Sequence, residues 1–254
     1  MPGALPRGVL PQVYLDALHG ATHDARMGVL ATGLDAIRDA GCPGVLFHGF
    51  PASLPARFPE YAALAAARGL LAFAAFGLPG GLPPADAGHA MGTVAARADC
   101  AGVFLDAEGA YDTGRKGDAA AMVAALRAVA PGALVADQPW FAPLHHSGFP
   151  YEEFAAGVDV RCPQVYLNDF HGPDRYRRVF DWYAREWAQL EASRLTPRGL
   201  ARPRVPTIQA EGWADIPGDL DACLAANVTV VAWCDKGLPP PTFLAAVRRA
   251  NTTG

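Results

Sequence analysis

The sequence predicts an α/β chain folded as a single-domain (β/α)8 TIM barrel, and three observations carry that prediction. Short apolar runs recur eight times along 254 residues, each followed by a turn and then by an alanine-rich helical pattern. The runs are nearly continuous in apolar residues, as parallel strands covered by helices on both faces must be. Eight β-then-α units in about 250 residues fit such a barrel by count and by length. A doubly wound open sheet is the alternative, but no G-x-G-x-x-G follows the first strand.

Taken in order, the expected strands of the first half are QVYLDAL (12–18), GVLFHGF (44–50), LLAFAAFG (70–77) and GVFLDAE (102–108). The second half supplies ALVADQP (133–139), CPQVYLN (162–168), PTIQAEG (206–212) and VTVVAWC (228–234). Helical patterns fall between them, among them GLDAIRDAG, EYAALAAARG, DAAAMVAALRAVAPG, DRYRRVFDWYAREWAQLEASR, DIPGDLDACLAAN and PPTFLAAVRRAN. Several of these close on Gly or Asn, the residues that best tolerate a helix C-terminus. Nothing marks a second domain, so one barrel is expected over 1–254.

Composition narrows the function. The chain is 51% hydrophobic and 18% charged, which suits a folded globule and not a disordered one. A net charge of −4 offers no attraction for nucleic acid or an anionic membrane, so neither is an expected partner. The basic stretch RLTPRGLARPR (194–204) reads as a connecting loop. Cys42, Cys100, Cys162, Cys223 and Cys234 are odd in number and lack a C-x-x-C, so they read as reduced, semi-buried small hydrophobes. That usage points to synthesis in a reducing cytoplasm, and MPGALPRGVLPQVY does not read as a signal peptide. The most apolar window (62–78) is broken by Arg68 and Gly69, so it reads as a helix end and a buried strand, not a membrane span.

In such barrels the chemistry sits at the C-terminal strand ends. There the sequence places Asp16, His48, Asp106 with Glu108, Asp137 with Gln138, Gln164 with Tyr166, Gln209 with Glu211, and Trp233 with Asp235. Acids, amides and aromatics at one mouth suit a sugar: carboxylates perform acid chemistry, amides bind hydroxyls, and aromatic faces stack on pyranose rings. Asp106 and Glu108 alternate on one strand, so both point the same way, roughly 6–7 Å apart at their bases. Glycoside hydrolysis needs a protonated acid for the leaving oxygen and a second carboxylate to support positive charge. The competing reading is structural, with Asp106 capping a turn and Glu108 solvated.

GVFLDAE resembles the fourth-strand D-x-E of the chitinase-like barrel clan, which includes the family 18 chitinases and the family 25 lysozymes. It matches the end of the longer signature D-x-x-D-x-D-x-E, with Ala101 and Phe104 at the two earlier acidic positions. Family 25 lysozymes need only the final D-x-E and carry an Asp at the end of strand one, where Asp16 stands. PQVYLND resembles the clan's sixth-strand tyrosine segment, and VVAWCD its eighth strand with a floor tryptophan. GVFLDAEGAYD is also similar to a strand of the family 114 polygalactosaminidase-like barrels. The resemblance implies Glu108 as general acid, with Asp106 orienting the substrate's acetamido group as it attacks the anomeric carbon. It implies Tyr166 as a hydrogen-bond donor, Trp233 as the subsite floor and Asp16 as an auxiliary acid. The implied substrate is an N-acetylated polysaccharide of the peptidoglycan or chitin kind, met at a cell wall or other extracellular glycan by a phage-encoded or exported enzyme.

Other chemistries have thinner support. His19, His23 and Asp24 form H-x3-H-D and His145–His146 is a doublet, but neither has the H-x-H strand-one placement of metal-dependent barrel hydrolases. No metal or cofactor is therefore expected. Ser53, Ser147 and Ser193 lie outside any G-x-S-x-G, and no phosphate loop is visible. The rival function is a barrel that binds glycan or serves as an assembly module, such as a virion component, without cutting. The exact polymer and the oligomeric state stay open.

Overall fold

The structure is a computed structural model. It describes residues 4–18, 20, 22–78, 82–107, 111, 114–140, 142–166, 175–210, 219–226, 229–234 and 236–253. The strands are β1 (Gly8–Tyr14), β2 (Gly44–Gly49), β3 (Leu71–Gly77), β4 (Gly102–Asp106), β5 (Val135–Asp137), β6 (Val160–Arg161), β7 (Thr207–Gln209) and β8 (Thr229–Cys234). The helices that follow them are α1 (His23–Asp39), α2 (Leu54–Ala66), α3 (Pro84–Ala95), α4 (Lys116–Val129), α5 (Tyr151–Ala155), α6 (Arg175–Leu190), α7 (Asp219–Ala226) and α8 (Pro241–Thr253). All strand pairs are parallel, in the order β6-β5-β4-β3-β2-β1-β8-β7. The seam between β6 and β7 is carried by the single parallel bridges Arg161–Arg204 and Gln164–Thr207. The expected α/β single-domain (β/α)8 architecture is therefore present.

Two cores follow from the alternation of side chains along each strand. Leu10, Leu46, Phe73, Ala75, Phe104, Leu134, Ala136, Cys162 and Val231 fill the barrel interior. The intervening residues, such as Val9, Val13, Val45, Phe47, Val103 and Leu105, pack outward against the helices. Phe104 and Phe73 meet edge-to-face in the interior, with ring centroids 5.8 Å apart. Phe104 thus serves as a core plug where the longer chitinase signature carries an acid.

The first strand differs from the sequence expectation. It starts at Gly8, four residues earlier than the run beginning at Gln12, and ends at Tyr14. Pro11 is tolerated because registered pairing with β2 begins only at Gln12, so its missing N–H falls beneath that ladder. β6 is only two residues long and ends just before the expected run 162–168, where Pro163 interrupts the ladder, yet the backbone stays bonded to both neighbours. Gln164 N donates to Pro139 O (2.9 Å) and Val165 N to Thr207 O (2.6 Å). Among the described residues no helix is long and apolar enough to cross a membrane.

α3 and α4 pack backbone to backbone at glycine. A Cβ at Gly88 would lie 2.1 Å from the Met122 carbonyl oxygen and 2.9 Å from Ala125 Cβ. Gly88→Ala gains about 1 kcal/mol in helix propensity, but forcing the helices apart costs about 1–3 kcal/mol. The packing term is expected to win because the clash is with fixed backbone. Thermal unfolding should show a melting temperature lowered by a few degrees; an unchanged or raised value would mean the helices shift freely.

Candidate active site

The last inward-facing position of each strand or its extension gives Tyr14, His48, Gly77, Asp106, Gln138, Gln164, Gln209 and Trp233. Asp106 is the hub. Its Oδ1 accepts a hydrogen bond from Gln164 Nε2 (3.1 Å), and its Oδ2 accepts one from the Tyr14 hydroxyl (3.4 Å). His48 Nε2 lies 3.2 Å from the same Oδ2, close enough for an ion pair but not aligned as a hydrogen bond. Asp106 is 8% exposed and His48 6%. The carboxylate is thus held by side chains from β1, β2 and the extension of β6.

Aromatic rings line the next shell. Tyr166 stacks on Trp233 with centroids 5.4 Å apart, and Tyr14 meets the same indole edge-on at 5.9 Å. Trp233 Nε1 donates to the Tyr14 hydroxyl, and the Tyr166 hydroxyl donates to Gln164 Oε1 (2.5 Å). Gln164 Nε2 also donates to the Gln138 carbonyl (3.1 Å). Beneath these, Gln138 Nε2 reaches across the barrel to Gln12 Oε1 (2.8 Å). Gln12 Nε2 and Gln138 Oε1 have no hydrogen-bond partner among the described residues. A partly exposed aromatic pair beside a buried carboxylate and amides suits a pyranose ring bearing polar substituents.

Asp106, His48, Gln138, Gln164, Tyr166 and Trp233 are brought together as the sequence expected, and Gln209 stands beside Trp233 in the β7–β8 register. Glu108 and Glu211, also expected at the mouth, lie outside the described residues, as do His19 and Asp235. Asp16 stands apart, because the strand ends at Tyr14 and the chain has already entered the 3-10 turn Leu15–Ala17. It is exposed and lines a cavity of about 260 Å³ with His23, Arg26, Arg57 and Tyr61, with no contact to Asp106 among those described. Asp137 points away from the mouth, since the neighbours Ala136 and Gln138 take the inward positions. It is fully buried, 3.6 Å from Arg161. Burial outweighs the attraction of Arg161 and pushes its carboxyl up to about 6.

Three other described histidines have partners of other kinds. His23 opens α1 against Glu60 (2.9 Å), His145 meets Glu186 (3.2 Å), and His146 stacks on Trp140 at 4.6 Å. Among the described residues no three His, Cys, Asp or Glu side chains come together as a metal site. Among the described residues no disulfide joins the cysteines, and burial pushes Cys42 up to about 12 and Cys100 up to about 11.

Sequence reasoning missed Tyr14 and Gln12, although a signal was present. The pentapeptide PQVYL occurs twice, at 11–15 and 163–167. Both copies place Gln in the buried polar network, Val in the outer core and Tyr against Trp233. The second tyrosine is an expected site residue, and the identical first context argues for Tyr14 equally.

The class is thus a (β/α)8 barrel with a buried carboxylate hub and aromatic wall at its C-terminal mouth. No family model and no curated protein matches the chain. Similar solved structures include the glycoside hydrolase domain of PgaB (BpsB) from Bordetella bronchiseptica, at 14% identity and TM-score 0.61 over 98% of each chain. A GH5_18 protein of Streptomyces cattleya in complex with GlcNAc aligns at 16% identity and TM-score 0.58, over 98% of this chain and 82% of that one. The spore cortex-lytic enzyme SleL of Bacillus cereus aligns at 10% identity and TM-score 0.57, over 98% and 76%. At these identities the likeness establishes the fold.

Proposed function

We propose that the chain is a glycoside hydrolase that cleaves an N-acetylated amino-sugar polysaccharide, retaining configuration through the substrate's own acetamido group. The observation that carries this reading is the convergence on Asp106 of Tyr14, His48 and Gln164, beside the stacked Tyr166–Trp233 pair. Asp106 would orient the acetamido group and balance the positive charge that grows on it, a task that rewards a carboxylate fixed in advance. Glu108, two residues further on, would protonate the leaving oxygen. Trp233 would floor the subsite, with Tyr166 and the glutamines meeting the sugar's polar groups. The solved neighbours named as a glycoside hydrolase domain, a GlcNAc complex and a cortex-lytic enzyme support a substrate of this class. The expected site of action is a cell wall or another extracellular glycan.

One observation favours the rival, a barrel that binds glycan without cutting it: both oxygens of Asp106 already have internal partners. Release of reducing ends from peptidoglycan, chitin and a galactosaminoglycan separates the two. The enzyme reading expects turnover on at least one polymer, lowered about 10²–10⁴-fold in Glu108→Gln, the usual worth of a general acid. Wild-type protein that binds a polymer but releases no ends would establish the rival instead.

A further inference from the structure

We propose that His48 is the positioning residue of Asp106, and that Gly77 is the gap through which the two meet. The inference rests on the glycosidase reading of the mouth for its catalytic consequence, but not for its geometry. β2 and β4 are not neighbours, because β3 runs between them. Strands lie about 4.8 Å apart, so a β2 side chain must cross roughly 10 Å to reach β4. An inward side chain on β3 at that level would stand in the way.

That level is Gly77, which is registered directly opposite Asp106. A Cβ built there would lie 3.1 Å from His48 Cε1, 3.2 Å from His48 Nε2 and 3.1 Å from Phe50 Cε1. A methyl group at 77 would therefore push the imidazole aside by a few tenths of an ångström, and any larger side chain would enter its space. Its ring is held on one face by Tyr14, stacked at 3.9 Å and 19°, and flanked by Phe50 at 6.2 Å and 74°. This clamp holds Nε2 3.2 Å from Asp106 Oδ2, within ion-pair distance although off the line of a hydrogen bond. The titratable groups facing His48 are Asp106 from β4 and Tyr14 from β1. A carboxylate that must meet a reacting acetamido group in one orientation benefits from such a stop, since misplacement by about 1 Å can cost about 10²-fold in rate.

The test uses selectively ¹⁵N-histidine-labelled full-length protein without substrate. The His48 ring signals are assigned among the seven histidines by their loss in His48→Gln. They are expected to move in Asp106→Asn and in Gly77→Ala while those of the other six stay in place. Unchanged His48 signals in folded Asp106→Asn would overturn the pairing, whatever the activity. On a cleaved polymer, His48→Ala is expected to lose about 10–100-fold in kcat with little change in KM, and Gly77→Ala, which displaces the ring less, is expected to lose a smaller factor. His48→Gln, which can return a nitrogen near the Nε2 position, should recover part of that loss. If Gly77→Ala does not fold, the Asp106→Asn signals and the His48 pair of variants still decide the matter. A kcat in His48→Ala equal to wild type would overturn the positioning role. Wild type that cuts nothing would sink the glycosidase reading, while the ring signals still judge the pair.

Discussion

Asp106→Asn is expected to lower turnover about 10²–10³-fold while leaving the barrel folded. The substitution keeps the side chain's size, so the space between Tyr14, His48 and Gln164 stays filled. It also keeps an oxygen that can accept from Gln164 Nε2, the 3.1 Å contact. What it removes is the negative charge, and with it the partner for positive charge developing on the acetamido group. In a site this buried the loss is not compensated by water, so the electrostatic term dominates the small change in hydrogen bonding. The outcome should be a fall in kcat with KM changed only a few-fold, because the charge matters most in the transition state. Kinetics on the cleaved polymer, beside a thermal melt of each protein, measure both quantities. A loss below tenfold in a folded variant would mean that the charge of Asp106 takes no part in the reaction.

The same residue shows how much of the site was legible in the sequence. Asp106, Gln138, Gln164, Tyr166 and Trp233 could be placed at the mouth because a period of two carries every second residue of a strand to one side. The apolar residues beneath them fixed which side that was. Asp137 is adjacent to Gln138, and the period that brings one inward sends the other out. Asp16 misled for a different reason. The strand ends at Tyr14, so the residue that completes its inward face is a phenol, and the acid two residues on falls in the following 3-10 turn. No sequence pattern announced the His48–Asp106 contact, because it depends on a residue that is missing a side chain. Gly77 looks like a strand terminator until register places it opposite Asp106.

Asp137→Ala is expected to destabilise the fold by about 3–5 kcal/mol, the cost of leaving a buried charge without its partner. Arg161 is fully buried, donates to the Tyr151 carbonyl, and stands over the Tyr151 and Trp187 rings at 5.8 and 5.4 Å. Its Nε and Nη1, like both oxygens of Asp137, lack a hydrogen-bond partner among the described residues. The 3.6 Å pair is therefore held by charge more than by hydrogen bonds. For a chain of this length the melting temperature should fall roughly 2–4 °C per kcal/mol, so the drop is readily measured. Replacing both residues, as in Asp137→Leu with Arg161→Met, should restore much of the stability, because apolar packing often matches or exceeds a buried ion pair. The pH dependence has a definite sign. Asp137 has its carboxyl raised from 3.8 to about 6 in the folded state, so between those values the native state binds more protons than the unfolded one. Its contribution to stability therefore decreases as pH rises through that window and is constant on either side. Asp137→Asn removes this contribution, so the difference between wild-type and Asn curves should fall with pH between about 4 and 6. Melting temperatures of the single and double variants across that range test both statements. Asp137→Ala melting together with wild type, or a difference from Asn that is flat with pH, would show that the pair is not the buried charge couple its geometry describes.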